Sequence, residues 1–477
     1  MKNLCTSLNH YPHMITAQLA SFIIDLQINE IPLFIREKAK LCLMDFLGVS
    51  LRGSREKSSQ AIWDMMESIK LSPADSSKEI TVLGHGGGGL LESCLINGIS
   101  AHALDLDDGH RMAQLHPGCS VIPAALALAE YHNKSGKEFL EALVAGYEVA
   151  IVLGIMVNPV HRNLGFHSTS TLGVFGAAAA SSKILGLNFE ETVNALGLAG
   201  TQSAGFLESG HSGSMGKHLH AGHAAHSGVI SALLAQKGFT GSSSILEGEE
   251  GFLNCMCLDI GKKRDLDDTV TSLLGQFHIK DVYLKKYPVC RHLHSSIDSA
   301  CQISKEFNLK RIKINQIDHI MVQTYKTAAE HDNYYPETPE SLRQSLPLSI
   351  AITLHRGDLG MDDVKAISQL SPEVRALSQK ITIELDEKLD NLQPHKRPSR
   401  VTVTYTKKNN ISGNKVTNSY SIEKTTFLPQ GESENPFTKE EILHKFQFLN
   451  PGYDIQKLEI LNEMESLPIR YLMGNFN

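Results

Sequence analysis

The 477-residue sequence lacks the features that identify metal-cluster, secreted or nucleic-acid-binding proteins. Its eight cysteines include no Cys-x-x-Cys pair, which argues against zinc ribbons and thioredoxin-like redox sites. A chain of this length does not need disulfides for stability. Its net charge of −7 argues against nucleic acid, because such proteins usually carry a basic patch. We therefore expect no redox cofactor and no nucleic-acid partner.

Long uninterrupted hydrophobic runs are also missing. A membrane-spanning helix needs about 20 consecutive apolar residues, and the closest segment, residues 142–157, is interrupted by Glu148. The first 22 residues contain histidines and Pro12 where a signal peptide has an apolar stretch. The sequence predicts a soluble cytoplasmic protein with no membrane partner.

Apolar residues recur at helical spacing through the first half of the chain, in segments rich in alanine and glycine. Small side chains let helices approach closely, so these segments predict a tightly packed helical core. The predicted helices span residues 31–53, 137–157, 170–187, 189–205 and 221–239.

The pattern changes after about residue 275. Alternating β-branched segments at 278–288, 314–326 and 399–409, followed by a hairpin and strand at 409–424, are separated by helical segments at 301–308 and 346–357. Residues 435–449 are helical again, with Thr438 as N-cap and Glu441 completing a capping box. The predicted fold is mainly α: a large discontinuous all-helical domain, residues 1–275 and 426–477, and a smaller α+β lid domain, residues 276–425.

Five polar segments interrupt this apolar background, and each carries His, Lys, Arg or Asp beside Gly or Pro. The densest, residues 105–118, holds three carboxylates, two histidines and one arginine. Loops at helix ends are where catalytic groups usually lie. If the segments converge, they form a cation-rich site with one or two carboxylates. The segments are 104–118, 165–173, 213–228, 285–298 and 342–351.

Histidines in the third segment allow a second interpretation. His220, His223 and His226 are three residues apart and could share a helix face to bind a metal. No cysteine or carboxylate ligand lies close by in the sequence, and a carboxylate-binding pocket explains the same histidines. We expect no metal, and keep a metal-binding or interaction protein as the non-enzyme alternative.

These five segments, in this order, resemble the MmgE/PrpD family over roughly residues 15–450. The resemblance implies a metal-free, cofactor-independent homodimer with an all-helical domain and an α+β lid, acting on a small di- or tricarboxylate. Family members include 2-methylcitrate dehydratase, cis-aconitate decarboxylase and iminodisuccinate epimerase. We expect a lyase, most simply a 2-methylcitrate dehydratase-like hydro-lyase, with the decarboxylase-like and epimerase-like reactions as alternatives.

The resemblance also implies site residues. Asp105, His116, His167 and Lys217 match the catalytic positions of the decarboxylase branch, and Tyr325 matches a tyrosine of its lid. Cys290 stands where that branch has a catalytic histidine, with His292 and His294 close by. This departure favours a different substrate, and Cys290 is interpreted as lining the pocket.

The shared chemistry is a negative charge that develops on carbon beside a carboxylate, which cations and hydrogen-bond donors stabilise. We expect His116 and His167 to form the acid–base pair, Asp105 to orient a histidine or act as base, and Lys217 to bind a carboxylate or donate a proton. The predicted substrate-binding residues are His220, Arg291, His294, Tyr325 and Arg343. We interpret Asp107 and Asp108 as a helix cap and solvated turn, and His102, His132 and His161 as ordinary histidines.

Overall fold

The computed structural model describes residues 14–69, 79–257, 266–411 and 414–476. These residues form two compact units. The helical unit comprises Met1–Glu208, Met215–Leu284 and Phe437–Asn477, and the mixed unit comprises Ser209–Ser214 and Lys285–Pro436. The domain boundaries expected after residues 275 and 425 stay a prediction.

The helical unit contains nearly all of the long helices. Helices occur in all five segments where apolar periodicity predicts them, whereas the helices Ile15–Asp25, Lys57–Ile69, Leu90–His102 and Gly118–Tyr131 were not predicted individually. The expected helix at 170–187 is interrupted at Leu172, and the one at 189–205 ends at Gly200. The helices of this unit are α1 (Ile15–Asp25), α2 (Leu33–Gly53), α3 (Lys57–Ile69), α4 (Leu90–His102), α5 (Gly118–Tyr131), α6 (Gly136–Val157), α7 (Val160–Asn163), α8 (Ser168–Thr171), α9 (Gly173–Leu185), α10 (Phe189–Gly200), α11 (Glu208–His211, shared with the mixed unit), α12 (Gly216–Gln236), α13 (Phe252–Met256), α14 (Leu266–Leu273), α22 (Lys439–Leu449) and α23 (Ile469–Met473). Two short antiparallel pairs accompany them: β1 (Ile80–Val82) with β2 (Gly86–Gly88), and β3 (Gly109–His110) with β4 (Val282–Tyr283).

Glycines set the approach of α4 to α12. A Cβ atom on Gly222 would lie 2.2 Å from the carbonyl oxygen of Leu95, and one on Gly98 would lie 2.7 Å from the Cα atom of Gly222. The two backbones therefore touch, as the small-residue pattern predicts. This contact matters for the site, because α4 ends at His102 and the first turn of α12 contains Lys217.

Helix α22 returns the C-terminal segment to the helical unit. Thr438 caps it by accepting a hydrogen bond from the Glu441 N–H, so the predicted capping box is confirmed. The helix packs so closely on α2 that a Cβ on Gly48 would lie 2.7 Å from the ring of Phe446. Further along α22, the Lys445 ammonium lies 2.6 Å from the buried Asp45 carboxylate and 3.2 Å from the Leu106 carbonyl oxygen.

Among the described residues, one helix is long and apolar enough to cross a membrane, and it is α6. Most of α6 is buried among the other helices of its unit. Its buried carboxylate, Glu148, accepts hydrogen bonds from the backbone N–H groups of Phe277 (3.0 Å) and His278 (2.7 Å). Burial raises the pKa of Glu148 to about 7. The cytoplasmic location stays a prediction.

The mixed unit is built on a four-stranded sheet with strand order β6-β5-β7-β8. Strand β5 is parallel to β6 and antiparallel to β7, and β7 and β8 form a hairpin. Apolar residues of α15 and α18 form one core with this sheet. The elements are α15 (His294–Lys310), β5 (Ile317–Thr324), α16 (Lys326–Ala329), α17 (Pro339–Leu342), α18 (Leu346–Arg356), α19 (Met361–Lys365), α20 (Pro372–Ser378), β6 (Ile381–Leu385), α21 (Glu387–Asp390), β7 (Ser399–Ile411) and β8 (Asn414–Thr426).

The predicted fold class, mainly α with a smaller α+β part, is confirmed. The strand predicted at 278–288 is wrong over most of its length: residues His278–Asp281 form a 3-10 turn, and only Val282–Tyr283 are extended. Strand β6 was not predicted. The hairpin turn predicted near residue 412 lies outside the described residues.

Candidate active site

The loop between α4 and α5 holds the three carboxylates of the densest polar segment. The side chains of Asp105, Asp107 and Asp108 are all buried, at 2%, 4% and 4% exposure. The interpretation of Asp107 and Asp108 as a solvated turn is therefore wrong. The backbone of Asp105 is left-handed, with φ of 50°. Such strain in a residue other than glycine costs energy and is concentrated at functional sites.

Asp108 is held at the start of α5. Its Oδ2 accepts a hydrogen bond from the Tyr147 hydroxyl (2.7 Å), and its Oδ1 accepts one from the Gly118 N–H (3.0 Å). A Cβ on Gly118 would lie 2.7 Å from the same carboxylate, so only glycine fits here. Burial raises the pKa of Asp108 to about 7, and the nearby Asp107 and Asp45 carboxylates act in the same direction.

Asp108 makes the stability of the protein depend on pH. Because its pKa is raised from 3.8 to about 7 in the folded state, the folded protein binds this proton more tightly than the unfolded chain. This contribution is complete below about pH 4 and is lost as the pH rises through about 7, on the order of 4 kcal/mol in total. We expect Asp108→Asn to flatten the fall in urea-unfolding free energy between pH 5 and pH 8. If the unfolding free energies of the wild type and of Asp108→Asn fall equally with pH, this role of Asp108 is excluded.

Lys217 and Asp105 form an ion pair between α12 and the acidic loop. Lys217 Nζ lies 3.0 Å from Asp105 Oδ1, and the Asp105 side chain is only 3% exposed. Burying one carboxylate requires a close partner of opposite charge, and Lys217 supplies it. Two of the four predicted catalytic residues are thus in direct contact.

His167 and His220 form a second direct contact. Their Nδ1 atoms lie 2.9 Å apart, so one ring donates a hydrogen bond and the other accepts it. Burial, followed by the charges of His102 and His220, lowers the pKa of His167 well below its usual value. Burial and the charge of His102 also lower the pKa of His220, to about 4. Both rings are therefore neutral near pH 7 and can accept a proton or donate a hydrogen bond.

His116 lies at the end of the acidic loop. Its Nδ1–H donates to the backbone carbonyl of Asp108 and lies 3.7 Å from Asp107 Oδ2. This contact fixes the orientation of the imidazole ring in the cluster. The ring centre is 5.2 Å from that of His102.

His102 is the residue that the sequence interpretation missed. It was expected to be an ordinary histidine, yet its ring lies 5.6 Å from His167 and its Nδ1 lies 2.8 Å from Asp107 Oδ2. Its position three residues before Asp105 was the signal that could have identified it. His161, by contrast, is a core histidine with both nitrogens bonded, to the Met256 carbonyl and to Thr171.

The remaining predicted site residues belong to the mixed unit. Arg291 is buried, and its guanidinium contacts Glu432 (3.1 Å) and His294 Nδ1 (3.0 Å), so these groups hold one another in place. The Tyr325 hydroxyl lies 2.7 Å from His292 Nδ1.

Arg343 is the last of the predicted site residues in the mixed unit. The guanidinium of the buried Arg343 lies 3.7 Å from Glu340. The backbone carbonyl of Arg343 accepts a hydrogen bond from the Cys290 N–H. Lys285, not selected from the sequence, is completely buried. A buried ammonium is unusual in proteins, and the sequence interpretation did not anticipate it at Lys285.

Two groups of described residues have the composition of a metal site: His102, Asp107 and Cys119, and His110, His278 and Asp281. In the first group, burial raises the pKa of Cys119 well above its usual value, which disfavours the thiolate that a metal requires. In the second, His110 Nδ1 accepts a hydrogen bond from Ala113 and His278 Nε2 lies 3.2 Å from the Leu273 carbonyl. Neither group includes the three histidines of α12 proposed from spacing, of which His223 lies 3.4 Å from Ser227.

Within the helical unit, the chain thus assembles buried imidazoles, an ammonium and several carboxylates in one cluster, which we call the acid–base cluster: His102, Asp105, Asp107, His116, His167, Lys217 and His220. Neutral histidines and a fixed cation suit proton transfer to and from carbon beside a carboxylate. This is the chemistry of a lyase that acts on a carboxylic acid.

Comparison with known proteins agrees with this class. The family model of the MmgE/PrpD N-terminal domain matches residues 17–264, and that of the C-terminal domain matches residues 287–466. The chain belongs to the MmgE/PrpD family. The prediction of this family from the polar segments is confirmed.

Its curated relatives include decarboxylases. The chain is 26% identical over 454 residues to a cis-aconitate decarboxylase-like protein of Aspergillus oryzae, covering 91% of this chain and 90% of the relative. It is 27% identical over 455 residues to the cis-aconitate decarboxylase of Aspergillus terreus, covering 91% and 89%. The mouse cis-aconitate decarboxylase is 26% identical over 379 residues, covering 78% and 75%. The prediction that the chain is a lyase is confirmed, whereas the homodimer stays a prediction.

Proposed function

We propose that the protein is a cofactor-independent carboxy-lyase that releases CO₂ from a small unsaturated tricarboxylate of the cis-aconitate type. The observation that carries this choice is the match to decarboxylases along nine-tenths of the chain. It favours the decarboxylase alternative over the dehydratase-like reaction first expected from the sequence. The acid–base cluster supports the proposal, because it combines a lysine ammonium with several buried histidines, two of which have lowered pKa values.

In the proposed reaction, the bond between carbon and the departing carboxylate breaks and CO₂ leaves. The electron pair passes into the remaining conjugated carboxylate, and a proton is then added to carbon. Lys217 binds a substrate carboxylate, and its charge stabilises the pair of electrons left behind. His167 and His220 donate or accept hydrogen bonds as neutral rings. Because its lowered pKa leaves His167 neutral near pH 7, His116 is the member of the predicted acid–base pair that we propose to exchange a proton with the substrate.

Cys290 motivates a second candidate reaction. It occupies the position at which the decarboxylase branch resembled by this sequence has a histidine. Loss of that group favours a substrate with a different leaving group, such as the hydroxyl of a 2-methylcitrate-like acid. The dehydratase-like reaction is therefore included in the test.

The test uses proton NMR to follow cis-aconitate, citrate, 2-methylcitrate and iminodisuccinate in separate samples. Each sample contains the purified full-length protein in D₂O buffer with a metal chelator. We expect cis-aconitate to release CO₂ and the product to gain one deuterium on the carbon beside the remaining conjugated carboxylate, as the double bond shifts toward the carbon that loses CO₂. If 2-methylcitrate forms an alkene and cis-aconitate releases no CO₂, the protein is a dehydratase and not a decarboxylase. Epimerisation of iminodisuccinate alone would make the protein an isomerase.

A further inference from the structure

His102 combines complete burial with a carboxylate partner. It is the last residue of α4 and is 0% exposed. Its Nδ1 lies 2.8 Å from Asp107 Oδ2, so the ring donates Nδ1–H to the carboxylate. This is the geometry by which a carboxylate fixes the tautomer of an imidazole and stabilises its protonated form. In that tautomer, Nε2 carries the lone pair that takes up and releases a proton.

The other ring nitrogen is left without a partner. His102 Nε2 is buried and has no hydrogen-bond partner among the described residues. Buried polar atoms are nearly always bonded, and an exception needs an explanation. His161 shows the usual case in this unit, since both of its nitrogens are bonded. A ligand or proton-transfer partner at Nε2 would explain why His102 differs.

The ring of His102 lies inside the acid–base cluster. It packs against His167, with ring centres 5.6 Å apart, and its centre is 5.2 Å from His116. The remaining titratable groups that face this region are Asp105, Asp107, Asp108 and Cys119, together with Lys217 and His220 of α12. His102 Nδ1 lies 2.8 Å from Asp107 Oδ2, whereas His116 Nδ1 lies 3.7 Å from the same oxygen. Because attraction between charges falls with distance, Asp107 interacts more strongly with the ring of His102 than with that of His116 at these atoms.

We propose that His102 is a further proton-transferring residue of this site, with Asp107 as its positioning residue. When CO₂ leaves and the electron pair remains on the substrate, the protonated ring donates its Nε2 proton to carbon. The N–H bond breaks, the C–H bond forms, and the ring becomes neutral until it takes a proton from water. The proposal rests on the proposed decarboxylase function.

The first experiment compares kcat and KM for cis-aconitate from pH 5 to pH 9 in wild type, His102→Asn and His116→Asn. Asparagine places an amide N–H near the position of Nδ1 and keeps the bond to Asp107, but removes Nε2. We expect His102→Asn to lower kcat by about 10²-fold or more, to change KM by less than about threefold, and to change the shape of the pH profile of kcat. A variant that keeps the wild-type kcat and pH profile, while His116→Asn loses activity, overturns the proposal.

The control variant is His278→Gln, which replaces another buried histidine of the helical unit and keeps a donor for the Leu273 carbonyl. We expect it to keep the kcat and pH profile of the wild type. Thermal unfolding of each variant shows whether a loss of activity is a loss of folding. If His102 served only in packing, His102→Asn would have a lower melting temperature but the same shape of the pH profile of kcat as the wild type.

A second measurement does not depend on turnover. Nitrogen-15 NMR of the wild-type protein labelled in its histidine rings reports which nitrogen of His102 carries the proton. We expect a protonated Nδ1 at all pH values and an Nε2 that titrates. A neutral ring protonated only at Nε2 overturns the proposal even if His102→Asn fails to fold. If no tricarboxylate is decarboxylated but Nε2 titrates with Nδ1 protonated, the proposed decarboxylase function fails, and with it the transfer of a proton to carbon after CO₂ loss, whereas the tautomer set by Asp107 is supported.

Discussion

Replacing Lys217 with methionine is expected to lower kcat/KM for the tricarboxylate by about 10²–10³-fold, the loss seen when one group that stabilises a developing anion is removed. Methionine keeps much of the length of the side chain and removes the charge. The electron pair left by CO₂ then lacks its nearest fixed cation, and the substrate carboxylate lacks a partner. Steady-state kinetics with cis-aconitate measure the effect.

The same substitution leaves the buried Asp105 carboxylate without the ammonium that lies 3.0 Å away. We expect a loss of stability of about 3 kcal/mol, because breaking a buried pair leaves an uncompensated charge. Adding Asp105→Asn should recover part of this stability and none of the activity. Lys183→Met is the matched control, since Lys183 is a partly buried lysine of the same unit that donates to the Ile24 carbonyl. A Lys217→Met protein with kcat/KM within about threefold of wild type would exclude the proposed role.

Replacing Gly222 with alanine is expected to destabilise the protein by about 3 kcal/mol, the upper part of the range for overpacked cores. The added methyl carbon would lie 2.2 Å from the Leu95 carbonyl oxygen, a backbone atom that cannot move alone. Helices α4 and α12 must then separate. Since these helices carry His102 and Lys217, we expect kcat to fall as well, by at least about tenfold, because catalysis depends on positions held within a fraction of an ångström.

Urea unfolding measures the stability of Gly222→Ala, and the kinetic assay measures its activity. The control is Gly452→Ala, because a Cβ on Gly452 meets no atom within 4 Å. We expect this control to change stability by less than about 0.5 kcal/mol, as for most surface substitutions. If Gly222→Ala is as stable as the control, the close contact of α4 with α12 is not a tight constraint.

Local signals predicted the elements of the fold where those signals are strong. The capping box at Thr438 and Glu441 was confirmed because its hydrogen bonds lie within one helical turn. The strand predicted at 278–288 failed because the Glu148 carboxylate, more than a hundred residues away in the chain, accepts the N–H groups of Phe277 and His278 and holds a turn there. Tertiary contacts of this kind override β-propensity, and no local pattern reports them.

The sequence likewise identified some residues of the candidate site and misjudged others. Polar residues in an apolar background pointed to Asp105 and Lys217, which the structure places in contact. Three other residues were misjudged, because their roles depend on distant partners. Asp108 is buried by Tyr147 of α6. His102 and Asp107, taken for an ordinary histidine and a surface turn, bond to each other inside the cluster. Acidic residues near Gly and Pro usually lie in solvated turns, and only the tertiary fold shows when they do not.

Helix α22 has a consequence for how the protein is made. Asp45 of α2 leaves the ribosome well before its partner Lys445, which lies 400 residues later in the chain. During that interval the nascent helical unit lacks both this cation and the Phe446 ring that packs against Gly48. The helical unit therefore gains these contacts only after the mixed unit has been synthesised. We expect chains released early to be held by chaperones or degraded.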